Sequence, residues 1–465
     1  MLELIVIAVY LAVMIAIGLV SRRQAKSPDG FFVAGRSGSS LLVTGSLLAT
    51  IVGGSATIGM AGLGFTRGLT GAWWLLVGSI GLAFLGLFLA EKVRRFALYT
   101  LPELVEKQYD GRVALAASVL IVIAWTGVIA AQIAAAGKIL GILGIGDPAL
   151  WMVVFSVVFI AYTMLGGQYA VIRTDTIQAV IIFVGIFSSL VLLLLNVGGL
   201  SGLRESLAPE QFAFPLSAKF GGDSLVTLLL LVGLTYFVGP DIYSRVFCAK
   251  DAKTARKSVF WVAVLIIPIA FGITLIGMGA SVLFPQIAPE QAFPMVIKGV
   301  FPPWLGGIVL AALLAAVMSS ADTTLLTAST ILTVDVIGRL KPGFRQGGIL
   351  PLSRWGILVL GLGSLALALM LKGVISALLF AYAIYTSGLI LPVIAGFYRH
   401  RLKVTPAGAL AAVIGGGSVA LVSKIFSIQY LDIGGLLLSG VLLFTVSFID
   451  NRRRGNSLDG EQAVQ

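Results

Sequence analysis

Long apolar stretches separated by short polar ones dominate this chain. Thirteen of them, at roughly 3–21, 41–66, 70–90, 113–143, 149–168, 175–198, 224–247, 258–284, 304–334, 354–372, 375–397, 405–423 and 429–449, carry few charges. Each is close to the about 20 residues that cross a bilayer core as a helix. Two are interrupted: Thr50-Ile51-Val52-Gly53-Gly54-Ser55 lies inside the second, and Gly233 through Gly239-Pro240 lies inside the seventh. A helix broken at membrane depth leaves backbone groups without partners, which is tolerated only where they face protein, water or a bound solute. The pattern therefore predicts an all-α polytopic membrane protein with helix breaks at Gly53, Gly54, Gly239 and Pro240, built to pass a solute.

The two interruptions occupy matching places. Spans two to six (41–198) and seven to eleven (224–397) each hold five helices, and an odd number makes the second block enter from the opposite face, an inverted repeat. The whole chain, 1–465, then reads as one transmembrane domain with an extra N-terminal span at 3–21, two C-terminal spans at 405–449 and a disordered tail at 451–465 on the cytoplasmic side.

Composition agrees with a membrane class: 58% of the 465 residues are hydrophobic, 11% are charged, and the mean hydropathy is +1.04. The net charge of +12 suggests nucleic acid until its distribution is considered. With alternating crossings, 25 of the 32 lysines and arginines fall on one side, and only Arg67, Lys138, Arg204, Lys219, Lys298, Lys372 and Lys424 on the other. That bias marks the basic side as cytoplasmic, with the N-terminus outside and the C-terminus inside. The single cysteine, Cys248, excludes an intrachain disulfide, and the single histidine, His400, sits between Arg399 and Arg401 as a solvated loop residue. No phosphate-binding loop, nucleophile–base pair or metal cluster is visible, so no enzyme and no cofactor are expected.

Span nine holds the densest polar run, Ser319-Ser320-Ala321-Asp322-Thr323-Thr324 followed by Thr327, Ser329, Thr330 and Thr333. Each hydroxyl alone commonly bonds back to its own helix. A carboxylate in a membrane helix, however, is expensive and usually serves an ion, a proton or a paired charge, and hard cations prefer oxygen ligands. Asp175 reads as a helix N-cap, Asp241 and Arg245 as an intrahelical ion pair at four-residue spacing, and Trp73, Trp74, Trp151, Trp261, Trp304 and Trp355 as interfacial anchors.

At these residues the chain resembles the sodium:solute symporter family. The segment Ala315-Ala316-Val317-Met318-Ser319-Ser320-Ala321-Asp322 is similar to that family's alanine-rich motif, and Gly166-Gly167 through Thr174-Asp175-Thr176-Ile177-Gln178 to its Gly-Gly…Thr-Asp-Thr-x-Gln junction. Tyr99-Thr100-Leu101-Pro102-Glu103 and Tyr236 through Arg245 are similar as well. The resemblance implies a leucine-transporter-type fold of thirteen helices in a multi-pass cytoplasmic-membrane monomer. It implies a sodium site made by Ala49, Val52, Ala316, Ser319 and Ser320, and a second ion site or exit path at Asp175, Asp322 and Thr323. The solute pocket it implies is bounded by Ser55, Thr57, Gln132, Tyr236, Pro240, Tyr382 and Tyr385. Ile51 and Val232 stand where the family's proline transporters carry an aspartate and a tryptophan, which argues against proline. The expected function is sodium-coupled import of a small organic solute by alternating access; half-helix N-termini favour an anionic group, so a carboxylate-bearing solute is preferred. Proton coupling through Asp322 or Asp175, and a membrane sensor, are the alternatives.

Overall fold

The computed structural model describes residues 2–144, 146–341, 348–370, 373–426 and 431–462. Arg345, Lys372 and the tail residues 463–465 lie outside them, as do the side chains of Lys424 and Arg454. The described chain is helical throughout, with no strand and only isolated bridges.

The helices that position the site are α1 (Leu2–Ser21), α2 (Ser40–Ile51), α3 (Met60–Arg67), α4 (Trp73–Phe84), α5 (Gly111–Gly141), α6 (Pro148–Asn196), α7 (Leu234–Phe237), α8 (Pro240–Cys248), α9 (Ala252–Leu283), α10 (Ala292–Val300), α11 (Pro303–Thr330), α12 (Ile349–Ala368), α13 (Val374–Tyr385), α14 (Pro406–Ile425) and α15 (Leu431–Gln462). Their starts are written in the sequence. Asp110 accepts from the N–H groups of Arg112 (2.9 Å) and Val113 (3.0 Å) at the head of α5. Asp147 caps α6 through Ala149 N–H at 2.8 Å, ahead of Pro148. Asp251 caps α9 through Thr254 N–H at 2.7 Å. Each satisfies a backbone donor that a helix start otherwise leaves unpaired.

Eleven helical stretches among the described residues are long and apolar enough to cross a bilayer, two fewer than the sequence pattern predicts. The difference lies in Ser55–Arg95, of 41 residues, and Pro148–Asn196, of 49. At ~1.5 Å per residue the longer would reach about 74 Å, more than twice a hydrocarbon core of ~30 Å. Each contains a glycine at positive φ, Gly68 (69°) and Gly167 (50°), a conformation costly to any residue with a Cβ, and the helix is divided there. At Gly167 a Cβ would also meet the Phe31 carbonyl oxygen at 2.8 Å.

The helix α11 is the axis of the molecule: every residue from Val309 to Thr330 is buried. A helix buried all round needs no polar face, yet this one carries the hydroxyl run of span nine inward. By contrast α12 and α15 turn Trp355, Val359, Phe444 and Phe448 outward, as a lipid-facing surface does. Trp261 and Trp304 are likewise exposed, whereas Trp74 is buried; it is a packing residue and not an anchor. His400 is exposed, in a short turn after Tyr398. The last helix runs to Gln462 and so takes in residues 451–462, which the sequence assigns to a disordered tail; once nucleated in an apolar span, a helix gains a backbone bond for each further residue it orders.

Candidate ion and solute site

The first break follows α2. Ile51 ends the helix, Val52 leaves helical geometry (φ −84°, ψ 59°), and the chain resumes as a wide turn at Ser55–Gly59 that leads into α3. Gly53 is required by what it faces: a Cβ there would collide with Ser320 Oγ and lie 3.0 Å from Gln132 Oε1. The neighbouring Gly54 N–H is satisfied by that same Gln132 Oε1, at 2.8 Å.

From the opposite side α11 brings its two adjacent serines. Ser319 Oγ lies 2.9 Å from the Ala49 carbonyl and 3.0 Å from the Ala316 carbonyl, so three oxygens from two helices converge on one point. Ser320 Oγ donates to the Thr50 carbonyl at 2.6 Å and lies 3.3 Å from the Ala316 carbonyl. Of the five predicted sodium ligands, Ala49, Ala316 and Ser319 thus meet directly, Ser320 is one carbonyl along, and Val52 stands at the break itself. Neutral oxygens are the donor type that small hard cations prefer.

The second break lies between α7 and α8. Val238 leaves helical geometry (φ −133°, ψ 47°), Gly239 is extended (φ −85°, ψ 132°), and Pro240 opens α8 at its first position, where a missing N–H costs nothing. Tyr385 donates to the freed Val238 carbonyl, and Thr386 Oγ1 reaches the Leu231 carbonyl at 3.1 Å. Between the two breaks lies a cavity of about 30 Å³ lined by Ser55, Gln132, Tyr236 and Tyr382, all predicted, together with Thr50, Thr235, Asp241, Ile242, Ser320 and Thr324. Three predicted pocket residues do not line it. Thr57 donates to the Gly53 carbonyl of its own turn, Pro240 starts the half-helix, and Tyr385 packs edge-on against Trp125 with ring centres 4.8 Å apart.

Asp241 is the residue that sequence reasoning misplaced. It lies in the first turn of α8, at the pocket, and no lysine or arginine lines that cavity. The expected Asp241–Arg245 pair does not form. Arg245 is fully buried and points to Asp175, with Nη2 3.1 Å from Oδ2. Its Nε donates to Ser46 Oγ at 2.9 Å, Nη1 to Ser244 Oγ at 3.0 Å, and Nη2 also to Thr323 Oγ1. Ser46 Oγ in turn donates to Asp175 at 2.5 Å. A fully buried charge requires a partner, and Asp175 supplies it from α6. Asp175 is no cap either, since it lies eight residues beyond the Gly167 break, inside α6. The residues expected at a second ion site therefore gather around a guanidinium: Asp175 and Thr323 contact Arg245, while Asp322 accepts from Tyr162 OH and from Thr323 Oγ1 (3.3 Å). A link through Thr323 and Thr50, 3.1 Å apart, joins this cluster to the first break.

The model of the sodium:solute symporter family matches residues 31–416. The chain is 26% identical to the sodium/glucose cotransporter of Vibrio parahaemolyticus, covering 96% of this chain and 89% of that one. It is 26% identical to the sodium/pantothenate symporter of Escherichia coli (97% and 96%) and 29% identical to the sodium/proline symporter of Haemophilus influenzae (78% and 76%). Among solved structures, a substrate-bound, outward-open Na+-coupled sialic acid symporter superposes with a TM-score of 0.82 at 20% identity, over 97% of this chain and 98% of that one. A nucleobase-cation-symport-1 family transporter in a closed conformation gives 0.62 at 14%, over 93% and 96%. The fold is shared with these transporters, and the chain belongs to the sodium:solute symporter family.

Proposed function

We propose that this protein is a sodium-coupled symporter that crosses the membrane thirteen times, with its N-terminus outside, and imports a small solute bearing both an amino group and a carboxylate. The observation that carries the sodium reading is the convergence of Ser319 Oγ with the Ala49 and Ala316 carbonyls at the first helix break. The thirteen crossings follow when Ser55–Arg95 and Pro148–Asn196 each divide at their positive-φ glycine. The amino group is argued from Asp241, the acidic residue of a pocket lined by no basic one; the carboxylate rests on half-helix N-termini facing the same space. A pocket of about 30 Å³ holds roughly two waters, so the solute enters a more open conformation than this one.

One sodium suffices energetically. About 2.3 kcal/mol per charge per 100 mV and about 1.4 kcal/mol for a tenfold gradient together support roughly 500-fold accumulation of a neutral or zwitterionic solute. Arg245 already supplies a cation to Asp175 and Thr323, which favours a single coupled sodium. The competing reading is proton coupling, favoured by the buried Tyr162–Asp322 hydrogen bond. Uptake of labelled amino acids into proteoliposomes, with sodium replaced by potassium under the same imposed pH gradient, separates the two. Sodium coupling predicts that uptake collapses in potassium; full uptake in potassium, driven by a pH gradient, would establish the proton.

A further inference from the structure

On the side poor in basic residues, a vestibule of about 750 Å³ opens above the central pocket, and three elements meet at its rim. They are the end of α5, the start of α13, and the turn Pro289–Gln291 that leads into α10. One side chain joins all three. Glu290 Oε2 pairs with Lys138 of α5, and its Oε1 accepts the Val374 N–H of α13 at 3.0 Å.

The next residue after Val374 closes the passage. Ile375 presses on Gly59, where a Cβ would lie 2.6 Å from Ile375 Cγ1, and both residues line the vestibule. Ser55, one helical turn below Gly59, lines the central pocket. A single turn of the broken span therefore separates vestibule from pocket, and Ile375 is the plug above it. The Pro289 backbone is seated on Gly62 of α3, so near that a Cβ there would be 3.0 Å from the Pro289 carbonyl oxygen. The turn is thus anchored on the broken span while its carboxylate holds α13.

We infer that Glu290 is the latch of the outer gate: its carboxylate holds Ile375 over Gly59 in the closed state, and release from Lys138 and Val374 opens the pocket outward. This rests on the reading of the protein as an alternating-access transporter. The pair suits a gate because it is about a quarter exposed on each partner (29% for Lys138 and 24% for Glu290), and such pairs are weak enough to break in every cycle. A buried pair of the Asp175–Arg245 kind would not be.

The test uses the full-length protein with Cys248→Ala, a reporter Ser55→Cys and an impermeant thiol reagent added from the vestibule side, without sodium or solute. Glu290→Ala, which loses both contacts, is expected to raise the labelling rate about fivefold, and Glu290→Gln, which keeps an acceptor for Val374, by a smaller factor. A second reporter, Thr327→Cys, probed from the basic side, is expected to label more slowly in Glu290→Ala, because opening one side of a two-state transporter depletes the other. Unchanged or slower labelling at Ser55→Cys in both variants overturns the latch. Faster labelling at both reporters also overturns it, since that pattern is loosening of the fold. Lys138→Met must reproduce the Glu290→Gln result, and failure to do so removes Lys138 from the gate. Because neither ion nor solute is present, none of these outcomes depends on which ion is coupled.

Discussion

The two broken helices occupy matching positions in the chain, yet they are finished in different chemistry. At the first, Val52-Gly53-Gly54, the freed groups meet neutral oxygen and amide partners: Ser319, Ser320 and Gln132. At the second, Val238-Gly239-Pro240, the freed carbonyl is closed off by Tyr385, and the half-helix that follows presents Asp241 to the pocket. On the proposed reading the first break takes the cation, which carbonyl and hydroxyl oxygens can coordinate, and the second takes the positive group of the solute. Arg245, one turn beyond Asp241, reaches back from the second half-helix to Ser46 on α2 and Asp175 on α6, and so ties the two breaks together.

The largest effect is expected where that tie is cut. Arg245→Met leaves Asp175 charged in a fully buried site, which costs about 3–5 kcal/mol, and the melting temperature in detergent should fall accordingly. The double variant Arg245→Met/Asp175→Asn removes both charges and should recover much of the loss, because the two residues share one interaction. Equal damage in single and double variants would mean that the pair does not link the breaks.

A second pair of substitutions sets the breaks against each other. Ser319→Ala should raise the half-saturating sodium concentration, measured without solute, about tenfold, the equivalent of one lost ligand at ~1.4 kcal/mol, while leaving solute selectivity alone. Asp241→Asn should weaken an amine-bearing solute by a similar factor without moving solute-free sodium binding. Should both variants shift sodium and solute alike, the division of labour between the breaks fails.

The smallest effect serves as a control away from both. The backbone N–H of Thr254 holds the exposed Asp251 carboxyl below its usual range. The stability it lends to α9 is present above the unfolded pKa and is lost as the pH falls through the lowered folded value. Asp251→Ala should therefore reduce thermal stability slightly at neutral pH and not at all well below about pH 4, with transport unchanged. A pH-independent loss would show that the side chain acts by packing and not as a cap.

Much of this was legible in one dimension. Span length and the lopsided basic residues are local consequences of bilayer thickness and surface charge. Gly53-Gly54 and Gly239-Pro240 announce their breaks because glycine and proline weaken helices wherever they stand. Ser319 and Ala316 were singled out through the resemblance of their motif to the symporter family's alanine-rich segment, while the four-residue helix spacing that puts Asp241 and Arg245 on one face invited the wrong pairing. Ser55, Gln132, Tyr236 and Tyr382, named through the family resemblance, line the cavity between the breaks, while Thr57 and Tyr385 donate their hydroxyls to backbone carbonyls.

The sequence alone thus determined the membrane class and the two helix breaks, since each depends on neighbours within a turn or two. The tertiary structure alone decided the partners. Arg245 chose Asp175, 70 residues away, over Asp241, four away, and Glu290 met Lys138 across 152 residues. A buried charge is stabilised by whatever opposite charge the packed helices bring within reach, and that distance is a property of the packing.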